Sequence, residues 1–91
     1  MHIILLGDSV FDNAAYVDGG PDVCTQLQRK LPADSKATLL ARDGSTTDDV
    51  PSQLATIPAT ASHLAVSMGG NDALGQTSVL YDPARSVAEV L

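Results

Sequence analysis

Apolar positions in this chain fall into two kinds of pattern, short unbroken runs and widely spaced stripes. Ile3-Ile4-Leu5-Leu6 is unbroken, and residues 2–6 predict a fully buried strand. Residues 37–41 and 63–68 have the same character and predict a second and a third strand. Between the first two, Val23, Leu27 and Leu31 recur at i, i+4 and i+8, one apolar stripe of a helix. Pro21 and Asp22 suit its first turn, and Pro32 ends it. Between the second and third strands, Val50, Leu54 and Ile57 predict the inner face of a short helix. Thr46 or Thr47 caps that helix, Asp48 and Asp49 occupy its positive first turn, and Pro58 ends it. A last helix is expected from Asp82 and Pro83, with Ala84, Val87, Val90 and Leu91 inward. Residues 11–18 suit either a short helix or an irregular loop, and Gly19-Gly20-Pro21 breaks the chain.

The order is therefore β-α-β-α-β-α. Crossovers of helical length imply a parallel sheet with helices on its faces, connected with right-handed crossovers. A parallel sheet needs cover on both faces, and three strands are few. The last helix also reaches Leu91 without a capping signal. The 91 residues read as the N-terminal portion of one larger domain; a complete miniature domain is the alternative.

Composition narrows the partners. Five basic against eleven acidic residues give a net charge of -6. Such a surface repels nucleic-acid phosphates and anionic membranes. Cys24 is the single cysteine, so no intrachain disulfide forms, and it suits a small buried hydrophobe on the first helix. The start has no basic region, and its apolar run is too short for a signal peptide or a membrane span, which favours the cytoplasm.

Each strand runs into a polar loop: Gly7-Asp8-Ser9-Val10, Arg42-Asp43-Gly44-Ser45 and Gly69-Gly70-Asn71-Asp72. In an open parallel sheet, ligands bind outside the carboxyl ends of the strands, so the three loops share one edge. They offer a nucleophile, Ser9, and two oxyanion donors, Gly44 and Asn71. A tetrahedral intermediate needs donors fixed where its negative charge develops. Gly44 admits close backbone approach and φ > 0, and Asn71 is a neutral donor at any pH. Competing readings are structural. Ser9 can cap the following segment, Gly44 can be a turn glycine and Asn71-Asp72 a loop turn or helix cap. Asp8 suits an acceptor for nearby main-chain N–H groups, and Asp72 the same.

Together the three loops resemble the GDSL/SGNH hydrolase family. Gly7-Asp8-Ser9-Val10 is similar to its first block, Gly44 to the glycine of its second, and Gly69-Gly70-Asn71-Asp72 to its third. The resemblance spans residues 2–72. It implies a three-layer α/β/α, flavodoxin-like fold, here incomplete with three N-terminal strands, in which the first strand lies between the others. It implies a serine esterase that needs no cofactor and acts on a small-molecule ester. Ser9 would attack the carbonyl, with the N–H groups of Ser9 and Gly44 and the Asn71 amide holding the oxyanion.

One family element is missing. The C-terminal Asp-x-x-His block supplies the base, and neither His2 nor His63 follows an aspartate by three positions. His63 enters the third strand at its amino end, roughly five residues at ~3.3 Å each from the loops. A general base must come within ~2.6–3.2 Å of its partner, so both histidines read as structural or solvated. The resemblance places the base beyond Leu91; without it the chain is an inactive fragment. Two other classes compete. Asp8, Asp12, Asn71 and Asp72 faintly match metal-dependent phosphoesterase blocks, but no Asp-x-His lies near the start. A nucleotide-binding loop would need Gly-x-Gly-x-x-Gly or a P-loop, and neither is present.

Overall fold

The computed structural model describes residues 1–76. Strand β1 (His2–Gly7) is followed by a 3-10 turn at Ala14–Tyr16 and helix α1 (Val23–Lys30). Strand β2 (Lys36–Leu39), a second 3-10 turn (Thr47–Asp49), helix α2 (Val50–Leu54), strand β3 (His63–Ser67) and helix α3 (Gly70–Gly75) complete the order. The three strands form one parallel sheet ordered β2-β1-β3. The protein is thus α/β, with helical crossovers joining parallel strands. The expected helix from Asp82 lies outside the described residues.

The sheet is built on β1. Ile3 to Leu5 pair with Ala37 to Leu39 on one side, and Ile3 to Gly7 pair with His63 to Ser67 on the other. Successive side chains of a strand point to opposite faces, so burial of Ile4, Leu5 and Leu6 covers both faces of β1. Each such side chain contributes about 1.5–3 kcal/mol when fully buried. Helix α1 packs on β2 and α2 packs on β1. Asp22 caps α1 by accepting a hydrogen bond from Thr25 N–H at 2.8 Å. Val23, Leu27 and Leu31 are half-buried, the stripe that their spacing predicts.

Several expectations shift in detail. β2 ends at Leu39: Leu40 N–H still donates to Leu5 O in register, as Lys36 N–H does to Met1 O, but Ala41 N–H turns onto the same Leu5 O at 2.9 Å and the ladder stops. β3 ends at Ser67, one residue short of Met68. The inner face of α2 is corrected. Leu54 is 44% exposed, whereas its neighbour Gln53 is only 6% exposed. A helix of five residues buries one narrow stripe, and the polar side chain at position 53 takes it for reasons given below. Gly70, Asn71 and Asp72, expected in a loop with a turn or helix cap as the alternative, open a short helix, α3, entered through Gly69 at φ 120°. On the outer strand β3, Leu64 and Val66 are 53% and 58% exposed. No helix among the described residues is long and apolar enough to cross a membrane.

Candidate active site

The three loops meet at the carboxyl edge of the sheet. The first leaves β1 at Gly7, whose φ is 130°. A side chain there would collide with the Ser67 carbonyl oxygen of β3, so glycine is required by close approach as well as by conformation. Asp8 is buried and acts within its own loop. Its N–H donates to Ser67 O at 3.1 Å, and its carboxylate accepts from Val10 N–H at 3.1 Å. Its carbonyl accepts from Phe11 and Asp12 N–H. Ser9 is thereby carried, half-buried, on a turn held from both sides.

The second loop is a four-residue turn closed by Ser45 N–H to Arg42 O at 3.1 Å. Gly44, at φ 86°, supplies the positive φ that such a turn needs at its third position. It is exposed, and nothing lies within 4 Å of where a Cβ would stand. In the third loop, Asn71 donates from Nδ2 to Ser45 O at 2.9 Å. Asp72 accepts from Thr47 N–H at 3.0 Å and from Thr47 Oγ1 at 2.8 Å.

These bonds join the loops to each other. Asp12 of the first loop accepts from Asp43 N–H of the second at 2.7 Å. Asn71 and Asp72 tie the third loop to the second. Tyr16 adds a further strap, donating its hydroxyl to Asp43 Oδ2 at 2.7 Å. That hydrogen bond to a carboxylate, and the carboxylate's charge, raise the Tyr16 pKa. Ser9, Gly44 and Asn71 therefore lie on three loops, the first and third each bonded to the second. One N–H of the Asn71 amide is engaged by Ser45, and the amide carries a second.

Other residues separate from the site. His2 is buried at the amino end of β1, its ring bridging Thr60 Oγ1 at 2.8 Å and Thr38 Oγ1 at 2.7 Å. His63 pairs with Ile3 at the same end and shares a 2.8 Å hydrogen bond with Ser62. Both imidazoles stand a strand's length from Ser9. Asp8, Asp12 and Asp72 accept from three different main-chain N–H groups. Among the described residues, no group of three or more His, Cys, Asp or Glu is placed to hold a metal ion. Cys24 is half-buried on α1, and burial pushes its thiol pKa up.

A cavity of about 630 Å³ opens beside the second loop, lined among others by Asp12, Ala41, Gly44, Ser45, Gln53 and Thr56. It adjoins Gly44 and not Ser9 or Asn71. Gln53 is the residue that the sequence reading missed. Its amide lies under the first loop, accepting from Gly7 N–H at 2.7 Å and donating to Gly7 O at 2.8 Å. The available signal was its spacing: position 53 is three residues after Val50 and four before Ile57, so it shares their face. Compared with protein-family models, with curated proteins and with solved structures, the chain finds no match.

Proposed function

We propose that the chain carries the first three blocks of an SGNH-type serine ester hydrolase with a flavodoxin-like, three-layer fold. Ser9 is the nucleophile. Its Oγ attacks the acyl carbon while its proton passes to an imidazole base. The charge that develops on the carbonyl oxygen is held by the N–H groups of Ser9 and Gly44 and by the second N–H of Asn71. The carbon–oxygen bond to the alcohol then breaks, the alcohol takes the proton, and water releases the acyl group from Ser9. Both histidines here stand at the far end of the sheet, so the base comes from outside these 91 residues.

The observation that carries this reading is the linkage of the three loops at one sheet edge. Asp12–Asp43 joins the first to the second, and Asn71–Ser45 joins the third to the residue after Gly44. The test uses the natural gene product that contains this chain. A fluorophosphonate should label Ser9 and no other serine, and Ser9→Ala should abolish hydrolysis of a short-chain aryl ester. Asn71→Ala should lower kcat by ~10²–10³ with little change in KM, because an oxyanion donor acts in the transition state. Turnover that survives Ser9→Ala, or that a chelator removes, would overturn the proposal.

A further inference from the structure

We infer that Gln53 is the positioning residue that sets the Ser9 turn against the Gly44 loop. The inference rests on the reading of Ser9 as nucleophile. It starts from the ladder. Pairing of β1 with β2 stops at Leu5 and Leu39, while pairing with β3 continues to Gly7 and Ser67. On the β2 side, the N–H of Gly7 is left without a strand neighbour. A buried, unpaired N–H is strongly disfavoured.

The Gln53 carboxamide takes the neighbour's place. A primary amide presents one acceptor and two donors in one plane, the same groups that a peptide bond presents to a ladder. Gly7 N–H donates to Oε1 at 2.7 Å, and Nε2 donates to Gly7 O at 2.8 Å. The same nitrogen reaches Ser45 Oγ at 3.4 Å. Ser45 is itself buried, follows Gly44 and accepts the Asn71 amide on its carbonyl. Gly7 O also accepts from Arg42 N–H at 3.0 Å, at the start of the second loop. One buried side chain thus touches the peptide two residues before Ser9 and the residue after Gly44.

This geometry has a chemical consequence. The attacking oxygen and two of its three oxyanion donors, Gly44 and Asn71, sit on different loops, and a misplacement of about 1 Å can cost 10²-fold in rate. Gln53 spans that junction with its amide engaged by Gly7 and Ser45, so its loss should lower kcat and leave KM nearly unchanged. A carboxylate in its place can accept from Gly7 N–H but has no proton for Gly7 O; the protonated acid has one. A Gln53→Glu enzyme should therefore recover as the pH falls, relative to the wild type at each pH.

The experiment compares wild type, Gln53→Leu and Gln53→Glu in the natural gene product. It measures folding by circular dichroism, Ser9 labelling by a fluorophosphonate, and kcat and KM on a short-chain aryl ester. Expected are a fall in kcat and labelling rate of ~10–10² for Gln53→Leu, with KM within about twofold. The Gln53→Glu rate relative to wild type should rise toward acid pH, a readout that remains if Gln53→Leu does not fold. Wild-type kcat in folded Gln53→Leu, an effect confined to KM, or a flat pH ratio for Gln53→Glu would overturn the inference while leaving Ser9 as nucleophile. A wild-type protein unlabelled at Ser9 overturns the nucleophile itself, and this inference falls with it.

Discussion

Two glutamines imitate a strand at two places in the sheet, and their surroundings differ. Gln28 of α1 lies along the outer edge of β2, where it accepts from Ala37 N–H at 2.8 Å and donates to Ser35 O at 3.0 Å. Gln53 of α2 makes the same pair of bonds to a single residue, Gly7, at the end of β1. Gln28 is exposed and Gln53 is buried. At the β2 edge, water can reach the Ala37 N–H when the amide leaves, and the side chain chiefly blunts an edge open to association. At the end of β1, Gly7 and Gln53 are both buried, and among the described residues no other side chain bonds both the N–H and the carbonyl of Gly7. A hydrogen bond is worth only about 0.5–1.5 kcal/mol net, but a buried group left unsatisfied costs about 1–3 kcal/mol. The same chemistry is therefore optional at one place and required at the other.

The largest expected effect comes from attacking the buried peptide through its own residue. Gly7→Ala drives a methyl into Ser67 O at a positive φ. Overpacking costs about 1–3 kcal/mol and the strained backbone about 1–3 kcal/mol, so roughly 2–6 kcal/mol together. Urea unfolding measures it. Near-wild-type stability would mean that the end of β1 is soft, and the contrast with the β2 edge would collapse.

The glutamine pair tests the contrast directly. Gln53→Leu orphans the Gly7 N–H, at about 1–3 kcal/mol, and removes one of the two donors to Gly7 O, at about 0.5–1.5 kcal/mol, an expected loss of roughly 2–4 kcal/mol. Gln28→Leu opens the exposed Ala37 N–H to water and removes a donor from the part-buried Ser35 O, and should cost about 1 kcal/mol, less than Gln53→Leu. Equal losses in matched urea titrations would show that burial does not separate the two sites.

This contrast also marks where the sequence was readable. Unbroken runs such as Ile3–Leu6 identify buried strands because both faces of β1 are covered. The β-α-β order and the three polar loops follow from the same pattern, with Ser9, Gly44 and Asn71 on linked loops. Gln53 escaped because a periodicity argument counts apolar residues. Its burial is decided by an unpaired N–H on a strand 46 positions away, which no local window contains. Leu54 was placed inward for the same reason, since a short helix has two residues competing for one stripe. Helix α3 escapes the pattern because Gly69-Gly70-Asn71-Asp72 reads as a polar loop and no apolar stripe follows it, whereas Gly69 at φ 120° serves as its entry. The links through Asp12, Asp43 and Asp72 are long-range pairings that acidic composition alone does not reveal.

A smaller effect should come from the link between the second and third loops. Asp72→Ala removes both contacts to Thr47, at an exposed position where water competes. The expected loss is about 1 kcal/mol or less. Because Asp72 adjoins Asn71, ester hydrolysis should fall further than stability does. A stability loss as large as that of Gln53→Leu would place this exposed link in the same class as the buried clamp.

The smallest effect is a dependence on pH that reaches only one of the two glutamines. Amides do not titrate, so neither pair of strand-like bonds changes with acid. Gln28, however, rides on α1, and α1 is capped by Asp22. The Thr25 hydroxyl and N–H hold the Asp22 carboxyl below its ordinary value. A carboxyl whose pKa is lowered by folding stabilises the folded state above its unfolded value of about 3.9. That contribution is lost as the pH falls through the folded value. The bond from Thr25 to Asp22 is solvent-exposed, so screening keeps the effect small. Asp22→Asn keeps an acceptor at the cap but removes the titration. Stability at pH 7 should then stay close to wild type, while the loss between pH 5 and about pH 2 should be smaller in the variant than in the wild type. Amide exchange should assign the difference to Ala37, the partner of Gln28, and leave Gly7 unchanged. An equal acid loss in both proteins, or a difference at Gly7, would show that the cap of α1 is coupled to the buried end of β1, and that the two glutamines do not belong to separate regions.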